Sequence, residues 1–411
     1  MAKKYVIIGN GTAAVGCIEG IRAHDKDGSI TVISAENHPA YCRPLISYYL
    51  EGKAVPERMS YRSDDFYDRN GVKVIYGESA AKIDTDEKAV VLESGEKVAY
   101  DSVCVAAGSR PLVPPFEGLD TVPVKFPFMT LDDAQNLESA ISEDKDVFIV
   151  GAGLIGLKCA EGLYGRVKSI TVCDLADRVL SSILDTETAE MMTRHIEEKG
   201  IKLMLSDTAT KFDGNVAYMK SGETVKFDVL VLAVGVRANI SLVKDAGGDC
   251  GRGITVDNHM ATSLEGIYAA GDCTESMDYS SGNVKVMAIM PNAYMQGHCA
   301  GENMAGSDVT FDNAIPMNSL GMFGFHVMSA GTPDGELWEE KSDSSSKKLF
   351  TKDDRLVGFI LAGDTTRAGI YTNLIRNGIS LSSIDFDTIK TAPNIFSFGQ
   401  EYCRNSLGGV V

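Results

Sequence analysis

Lys4-Tyr5-Val6-Ile7-Ile8-Gly9-Asn10-Gly11-Thr12-Ala13-Ala14 is an apolar run that breaks on a glycine turn. Residues 3–8 read as a buried strand, 9–16 as the turn and 17–24 as a helix. The turn fits the spacing G-x-G-x-x-G/A. Gly9 allows the tight bend, Gly11 lets backbone approach a pyrophosphate, and Ala14 permits close packing of helix on strand. Thr12 and Ala13 complete the motif. The helix behind it offers unpaired N–H groups and positive potential to phosphates. A second strand follows at 29–34, and Glu36 just past it is placed to bind a pair of ribose hydroxyls.

The pattern then returns. Residues 147–150 read as a strand, Gly151-Ala152-Gly153-Leu154-Ile155-Gly156 as a second glycine turn, 157–163 as a helix and 169–173 as the next strand. Asp174 follows, 21 residues after Gly153. A carboxylate there accepts hydrogen bonds from ribose hydroxyls and repels a 2′-phosphate, so NADH is favoured over NADPH; nearby Arg178 works against that preference. One such turn is a weak signal, because glycine turns are common. Two in one chain, each between strand and helix with an acid downstream, point to two dinucleotides.

Working outward, 411 residues are too many for one core, and two or three domains are expected. Residues 41–50 are aromatic-rich and read as a helix start, and 72–75 as a short strand. Residues 80–101 alternate as antiparallel strands around a turn at Ser94-Gly95. The apolar run 103–106 ends in Ala107-Gly108-Ser109-Arg110-Pro111, and 229–234 repeats it into Gly235. Residues 112–127 are proline-rich and read as a linker or domain crossing. The segment 311–411 has another character: a hairpin with a serine-rich tip at 342–346 between 337–340 and 348–351, then a helix at 368–376. The expected fold is α/β, with two Rossmann-like dinucleotide-binding domains and a small α+β C-terminal domain. The expected boundaries are 1–115 plus 240–310, interrupted by 116–239, and then 311–411.

Composition excludes other classes. The net charge is −18, from 57 acids against 39 bases, which argues against nucleic acid and mildly against an acidic protein partner. No apolar run approaches the roughly 20 residues that span a bilayer. The amino terminus runs from Lys3-Lys4 straight into the first strand with no cleavable leader pattern, so a cytoplasmic protein without membrane attachment is expected. The nine cysteines, at 17, 42, 104, 159, 173, 250, 273, 299 and 403, contain no Cys-x-x-Cys pair, so zinc ribbons and iron–sulfur motifs are unsupported and most read as buried, reduced thiols. The six histidines show no metal spacing, and a lone histidine is more often structural.

Gly266-Ile267-Tyr268-Ala269-Ala270-Gly271-Asp272-Cys273 is a strand ending in Gly-Asp, which leaves a carboxylate near a ligand's polyol. With the two glycine turns and the segments at 107–111 and 233–237, the chain resembles the pyridine-nucleotide–disulfide oxidoreductase superfamily over residues 4–305. The resemblance implies FAD on the first turn, NADH on the second, Asp272 on the FAD ribityl chain, and crossings between the two domains at Ala107, Gly108, Arg110 and Gly235. Within the superfamily the sequence is most similar to NADH:rubredoxin reductases and the flavin-binding part of assimilatory NADH nitrite reductases. Pro39-Ala40-Tyr41-Cys42-Arg43-Pro44-Leu45 matches their segment beside the FAD, with Arg43 and Pro44 as contacts. Pro291-Asn292-Ala293-Tyr294-Met295-Gln296-Gly297 resembles the helix start aimed at the flavin ring, with Asn292 and Gln296 as contacts, and His298 is the histidine nearest to it. Residues 356–365 resemble the C-terminal domain of that group.

Two departures matter. The superfamily's Cys-x-x-x-x-Cys is absent, which removes glutathione- and lipoamide-type chemistry. Where many members carry an acid in the second helix this chain has Lys158, and its lysine partner is matched by Tyr48. The resemblance implies NADH reducing FAD, with the nicotinamide stacked on the flavin, and electrons passing to an acceptor, foremost a small carrier such as rubredoxin. The alternative is an NADH oxidase, peroxidase or coenzyme A disulfide reductase using Cys42 as a redox thiol. Intact motifs at both sites argue against a non-catalytic sensor or scaffold. A monomer or homodimer is expected.

Overall fold

The computed structural model describes residues 2–399, Tyr402 and Arg404. Cys403 and the end of the segment expected to form the C-terminal domain lie outside the described residues.

The first half is built on a parallel sheet with strand order Ile267–Ala269, Ser102–Val105, Lys4–Ile8, Ser29–Ser34 and Val72–Tyr76. Its central strand is apolar at nearly every position because it is buried on both faces. Tyr5 and Ile7 enter a core with Val15, Ile18 and Cys299. Val6 and Ile8 enter a second core with Ile83, Val90 and Leu92. The three antiparallel strands Ala80–Asp84, Ala89–Leu92 and Lys97–Ala99 supply that second layer, turning at Lys88 as well as at the expected Gly95.

The second half repeats the first. Its parallel sheet runs Lys202–Leu205, Ser169–Asp174, Asp146–Val150, Val229–Leu232 and Lys125–Pro127, with a three-stranded antiparallel sheet at Ala209–Asp213, Val216–Met219 and Thr224–Lys226. Ser109–Pro111 and Val236–Ala238 pair antiparallel as the two crossings between the halves. The proline-rich segment is not merely a linker. Its end, Lys125–Pro127, is an edge strand parallel to Leu230–Leu232, a place where proline's missing N–H breaks no interior ladder.

Both dinucleotide helices start earlier than the sequence suggests, at Thr12 instead of 17 and at Leu154 instead of 157. The reason in the first is packing. Gly16 and Gly20 belong to the helix Thr12–His24, and a Cβ on either would stand 2.3 and 2.2 Å from the carbonyl oxygens of Tyr294 and His298. Reciprocally, a Cβ on Gly297 or Gly301 would stand 2.0 and 2.2 Å from those of Ala13 and Cys17. The helix Met290–Met304 therefore lies backbone to backbone on Thr12–His24. These glycines serve close approach, not turning.

The chain divides into two compact units. The first holds both halves: residues up to Ser182, Ala189–Ser276 and Lys285–Phe311. The second holds Ile183–Thr188, Met277–Val284 and the chain from Asp312. It is built on an antiparallel sheet of order Met317–Met322, Phe325–Gly331, Arg355–Ala362, Ser346–Lys352 and Glu336–Lys341, with the helix Ala368–Arg376 packed by Tyr371 against Phe359. Ser346 belongs to its strand, so the serine tip spans 342–345. It closes by a bond from Ser342 N–H to the Ser345 carbonyl.

Candidate functional site: two matched dinucleotide turns

The two glycine turns match in detail. Gly9 and Gly151 have φ of +107° and +118°, and a Cβ on them would stand 2.2 and 2.3 Å from the carbonyls of Ala106 and Ala233. Only glycine fits there. Gly11 and Gly153 cap their helices, and around each the space where a Cβ would stand is open. Neither helix has a side-chain cap or an acid in its first turn. The free N–H groups and the positive helix end are thus left available to a phosphate. At the third motif position Ala14 is fully buried, and a Cβ on Gly156 would collide with the Gly151 carbonyl at 1.9 Å.

The sheet brings further residues to the first turn. Gly271 ends the strand Ile267–Ala269 and its extension, and a Cβ there would lie 3.0 Å from that of Ala13. Buried Gln296 accepts a hydrogen bond from Gly271 N–H at 2.9 Å and holds the turn from the helix Met290–Met304. Asp272, next in the chain, accepts no hydrogen bond among the described residues. Burial raises its carboxyl pKa, opposed in part by the Arg43 guanidinium. A desolvated carboxylate without donors is a receptor for hydroxyl groups. Gly108, at φ +61°, also borders open space.

Other sequence candidates have different surroundings. Both Glu36 oxygens are engaged, by Arg43 Nη2 at 2.5 Å and by the Tyr41 hydroxyl at 2.7 Å. Arg43 also donates to the Met129 carbonyl at 2.8 Å, and Tyr41 accepts from Leu131 N–H at 2.9 Å. Sequence reasoning misses Tyr41 as a partner of Glu36. The Leu131 N–H that it binds lies 90 residues away, so no local pattern marks it. Exposed Pro44 is the middle residue of the short 3-10 turn Arg43–Leu45, which Cys42 caps. Asn292 is fully buried, with its amide nitrogen 4.0 Å from the Met287 sulfur. Arg110 reaches Asn239, whose own amide donates to the Ala107 carbonyl at 2.8 Å, so Asn239 ties the crossings together.

Burial raises the Cys42 thiol pKa, against a lowering contribution from the Leu45 N–H. Cys17, Cys104, Cys159, Cys173, Cys273 and Cys299 are buried free thiols. Among the described residues no group of three or more His, Cys, Asp or Glu could hold a metal, and no helix is long and apolar enough to cross a membrane.

At the second turn, Asp174 accepts from Ala152 N–H at 2.7 Å and from Ala176 N–H at 2.8 Å. The acid therefore shapes the glycine turn. Arg178 is drawn to Asp177 at 2.8 Å. Lys158 pairs with Glu161 and lies 5.0 Å from the Tyr48 ring centroid, a cation–π contact between the two halves. Gly235, at φ +115°, leads into the return crossing.

The match to known proteins settles the family. Residues 3–297 fit the model described as pyridine nucleotide-disulphide oxidoreductase. The chain belongs to that family. Residues 316–379 fit the rubredoxin NAD+ reductase C-terminal domain. The chain is 32% identical over 396 residues to the NADH-dependent phenylglyoxylate dehydrogenase subunit epsilon of Aromatoleum evansii, covering 93% of both. It is 26% identical to the NADH-rubredoxin oxidoreductase of Clostridium acetobutylicum, covering 96% of this chain and 97% of that one. Three other curated relatives are longer, and the chain spans 48%, 48% and 46% of their lengths. In fold it matches putidaredoxin reductase in its covalent complex with putidaredoxin, with a TM-score of 0.87 at 22% identity, covering 95% of this chain and 97% of that chain. As a member of the pyridine nucleotide-disulphide oxidoreductase family this protein is an oxidoreductase of FAD and NADH. The open cradles at Gly11 and Gly153 and the donor-free Asp272 fit the two dinucleotides.

Proposed function

We propose that this flavoenzyme passes electrons from NADH to a small one-electron carrier protein such as rubredoxin. The observation that carries the reading is the state of Cys42. Its thiol is held above the usual range by burial, and the adjacent guanidinium is committed to Glu36 and Met129. A thiol in that state is a poor nucleophile at neutral pH. Electrons then leave from the flavin and not through sulfur. The match of residues 316–379 to a rubredoxin reductase domain supports the same acceptor class.

FAD, when bound, supplies the redox chemistry, taking two electrons from NADH and releasing them singly. The chain's own residues bind and orient. Gly9, Gly11 and the N–H groups of the helix Thr12–His24 hold one pyrophosphate, with Ala13 and Ala14 keeping the helix close. Asp272 holds the ribityl hydroxyls, and Gln296 fixes the Gly271–Asp272 turn. The uncapped start of the helix Met290–Met304 presents positive potential to the ring. Glu36 reaches a ribose only as a shared partner of Arg43 and Tyr41. Gly151, Gly153, Leu154, Ile155 and Gly156 hold the NADH pyrophosphate, and Asp174 its adenosine ribose.

Anaerobic reduction by NADH followed by rapid mixing with rubredoxin, O₂, peroxide and coenzyme A disulfide tests the acceptor. Rubredoxin should reoxidise the flavin fastest. Faster reoxidation by peroxide or the disulfide, lost in Cys42→Ser, would replace this reading with the thiol-dependent one.

A further inference from the structure

The loop that leaves the strand Ser169–Asp174 carries three charged side chains, Asp174, Asp177 and Arg178. Arg178 is the one basic residue in 174–180. The backbone is tied down on both sides of it. Ala176 N–H donates to Asp174 at 2.8 Å, and the Ala176 carbonyl accepts from Ser206 N–H at 2.8 Å. Leu180 N–H donates to the Ala152 carbonyl, inside the glycine turn, at 3.0 Å. Val179 and Leu180 are buried, and Leu180 makes its bond at φ +52°. A leucine stays in that left-handed conformation only where its surroundings over-determine it. The Arg178 backbone therefore has a fixed place close to the Gly151–Gly156 turn.

Its side chain is held less well. Nη1 donates to Asp177 Oδ1 at 2.8 Å, whereas Nε is buried with no hydrogen-bond partner among the described residues. A guanidinium binds a phosphate through two parallel N–H donors, and a buried donor left unused is a cost. Asp177, the next residue back in the chain, thus engages one donor and leaves its neighbour unpaired. The pair is partly exposed and weak by itself. Its carboxylate, however, also repels any phosphate that would compete for the guanidinium.

NADPH differs from NADH by one phosphate on the adenosine 2′ oxygen. Beside a glycine turn of this kind an acid favours the free hydroxyl and an arginine favours the phosphate. This loop holds both. We propose that Asp177 is a specificity-determining residue: by holding the Arg178 guanidinium it withholds the loop's one cation from a 2′-phosphate, and so adds to the exclusion of NADPH by Asp174. The inference rests on the assignment of the Gly151–Gly156 turn and Asp174 to NADH. It goes further in naming what keeps Arg178 from reversing the preference. Without Asp177 the guanidinium is free to turn and present Nε and an Nη together. NADH carries no phosphate there and is indifferent.

The test uses the full-length holoenzyme, Asp177→Ser and the pair variant Asp177→Ser/Arg178→Ala. Asp177 is 71% exposed, so its replacement leaves the fold intact. In Asp177→Ser, kcat/KM for NADPH should rise about tenfold, the worth of one charge-assisted hydrogen bond, with that for NADH within about twofold of wild type. Adenosine 2′,5′-bisphosphate, titrated by calorimetry, should bind tighter by the same factor, and ADP should not. In the pair variant both gains should vanish. No gain in Asp177→Ser, or a gain that the pair variant keeps, would overturn the proposal. A wild type whose KM for NADH ignores Asp174→Ala would instead sink the assignment on which it rests.

Discussion

Arg43 and Glu36 form an ion pair of 2.5 Å, and with it the guanidinium next to Cys42 is committed elsewhere. A reactive thiol needs a nearby cation or a helix start to hold its thiolate. Burial raises the pKa of Cys42 and outweighs the lowering by the Leu45 N–H of the short 3-10 turn Arg43–Leu45, at whose start the thiol does stand. Thiolate, and with it alkylation by iodoacetamide, should therefore be scarce at neutral pH and should grow only as pH climbs through the raised value. Cys42→Ser should keep kcat with ferricyanide or rubredoxin within about twofold of wild type, because the flavin needs no sulfur to release single electrons. Rapid alkylation at pH 7 with matching loss of activity would contradict this.

Asp174 carries two loads. Its carboxylate binds Ala152 and Ala176 N–H groups and is proposed to bind a ribose. Asp174→Ala should raise KM for NADH by about ten- to a hundredfold, the equivalent of roughly 1.5–3 kcal/mol for a lost charge-assisted hydrogen bond. Because the loop loosens too, the glycine turn should also become more protease-sensitive. FAD content should not change. Steady-state kinetics with both nicotinamide dinucleotides decides: a variant with normal KM, or a wild type that prefers NADPH, removes Asp174 from this role.

Asp272 should show opposite effects on stability and binding. Its folded pKa lies above the ordinary carboxylate value because of burial. Between the unfolded and folded values the native state binds more protons, so this group's contribution to stability falls as pH rises through that window. At pH 7 Asp272→Asn should leave the apoprotein as stable as wild type or more so. FAD should nonetheless bind more weakly, by about ten- to a hundredfold if one charge-assisted bond to a hydroxyl is lost. Calorimetry of the apoprotein and fluorescence titration with FAD read the two effects separately, and unweakened FAD binding would rule out the polyol contact.

What can be read in the sequence is local. A strand, a glycine turn and a helix are contiguous, so both turns, Asp174 and the Gly271–Asp272 end appear as short patterns whose geometry the chain enforces within a few residues. The mismatches come from long-range contacts. The helix starts at Thr12 and Leu154 read late because glycine counts as a breaker, whereas Gly16 and Gly20 meet the distant helix Met290–Met304. The four-residue spacing in Gly16/Gly20 and Gly297/Gly301 is the available signal for that contact. Lys125–Pro127 reads as linker because an edge strand depends on its neighbour. The hold of Arg43 and Tyr41 on Glu36 is invisible in the sequence because it is made in space by side chains of the next segment.

The glycine contact gives the last prediction. In an unobstructed helix, glycine to alanine gains up to about 1 kcal/mol from propensity. At Gly297 the new Cβ would lie 2.0 Å from the Ala13 carbonyl oxygen, a backbone atom that cannot swing aside. The two helices must part, an overpacking that costs on the order of 1–3 kcal/mol, so the steric term wins. Ala13 lies in the first turn of the helix behind the glycine turn proposed to hold FAD, so the displacement should reach the cofactor. Gly297→Ala should lower the melting temperature and the FAD content of the purified protein together. Gly369→Ala, in the helix Ala368–Arg376 where a Cβ would meet nothing within 4 Å, should be neutral or slightly stabilising and keep its FAD. If Gly297→Ala melts like wild type with full FAD, the two helices are not in backbone contact in solution.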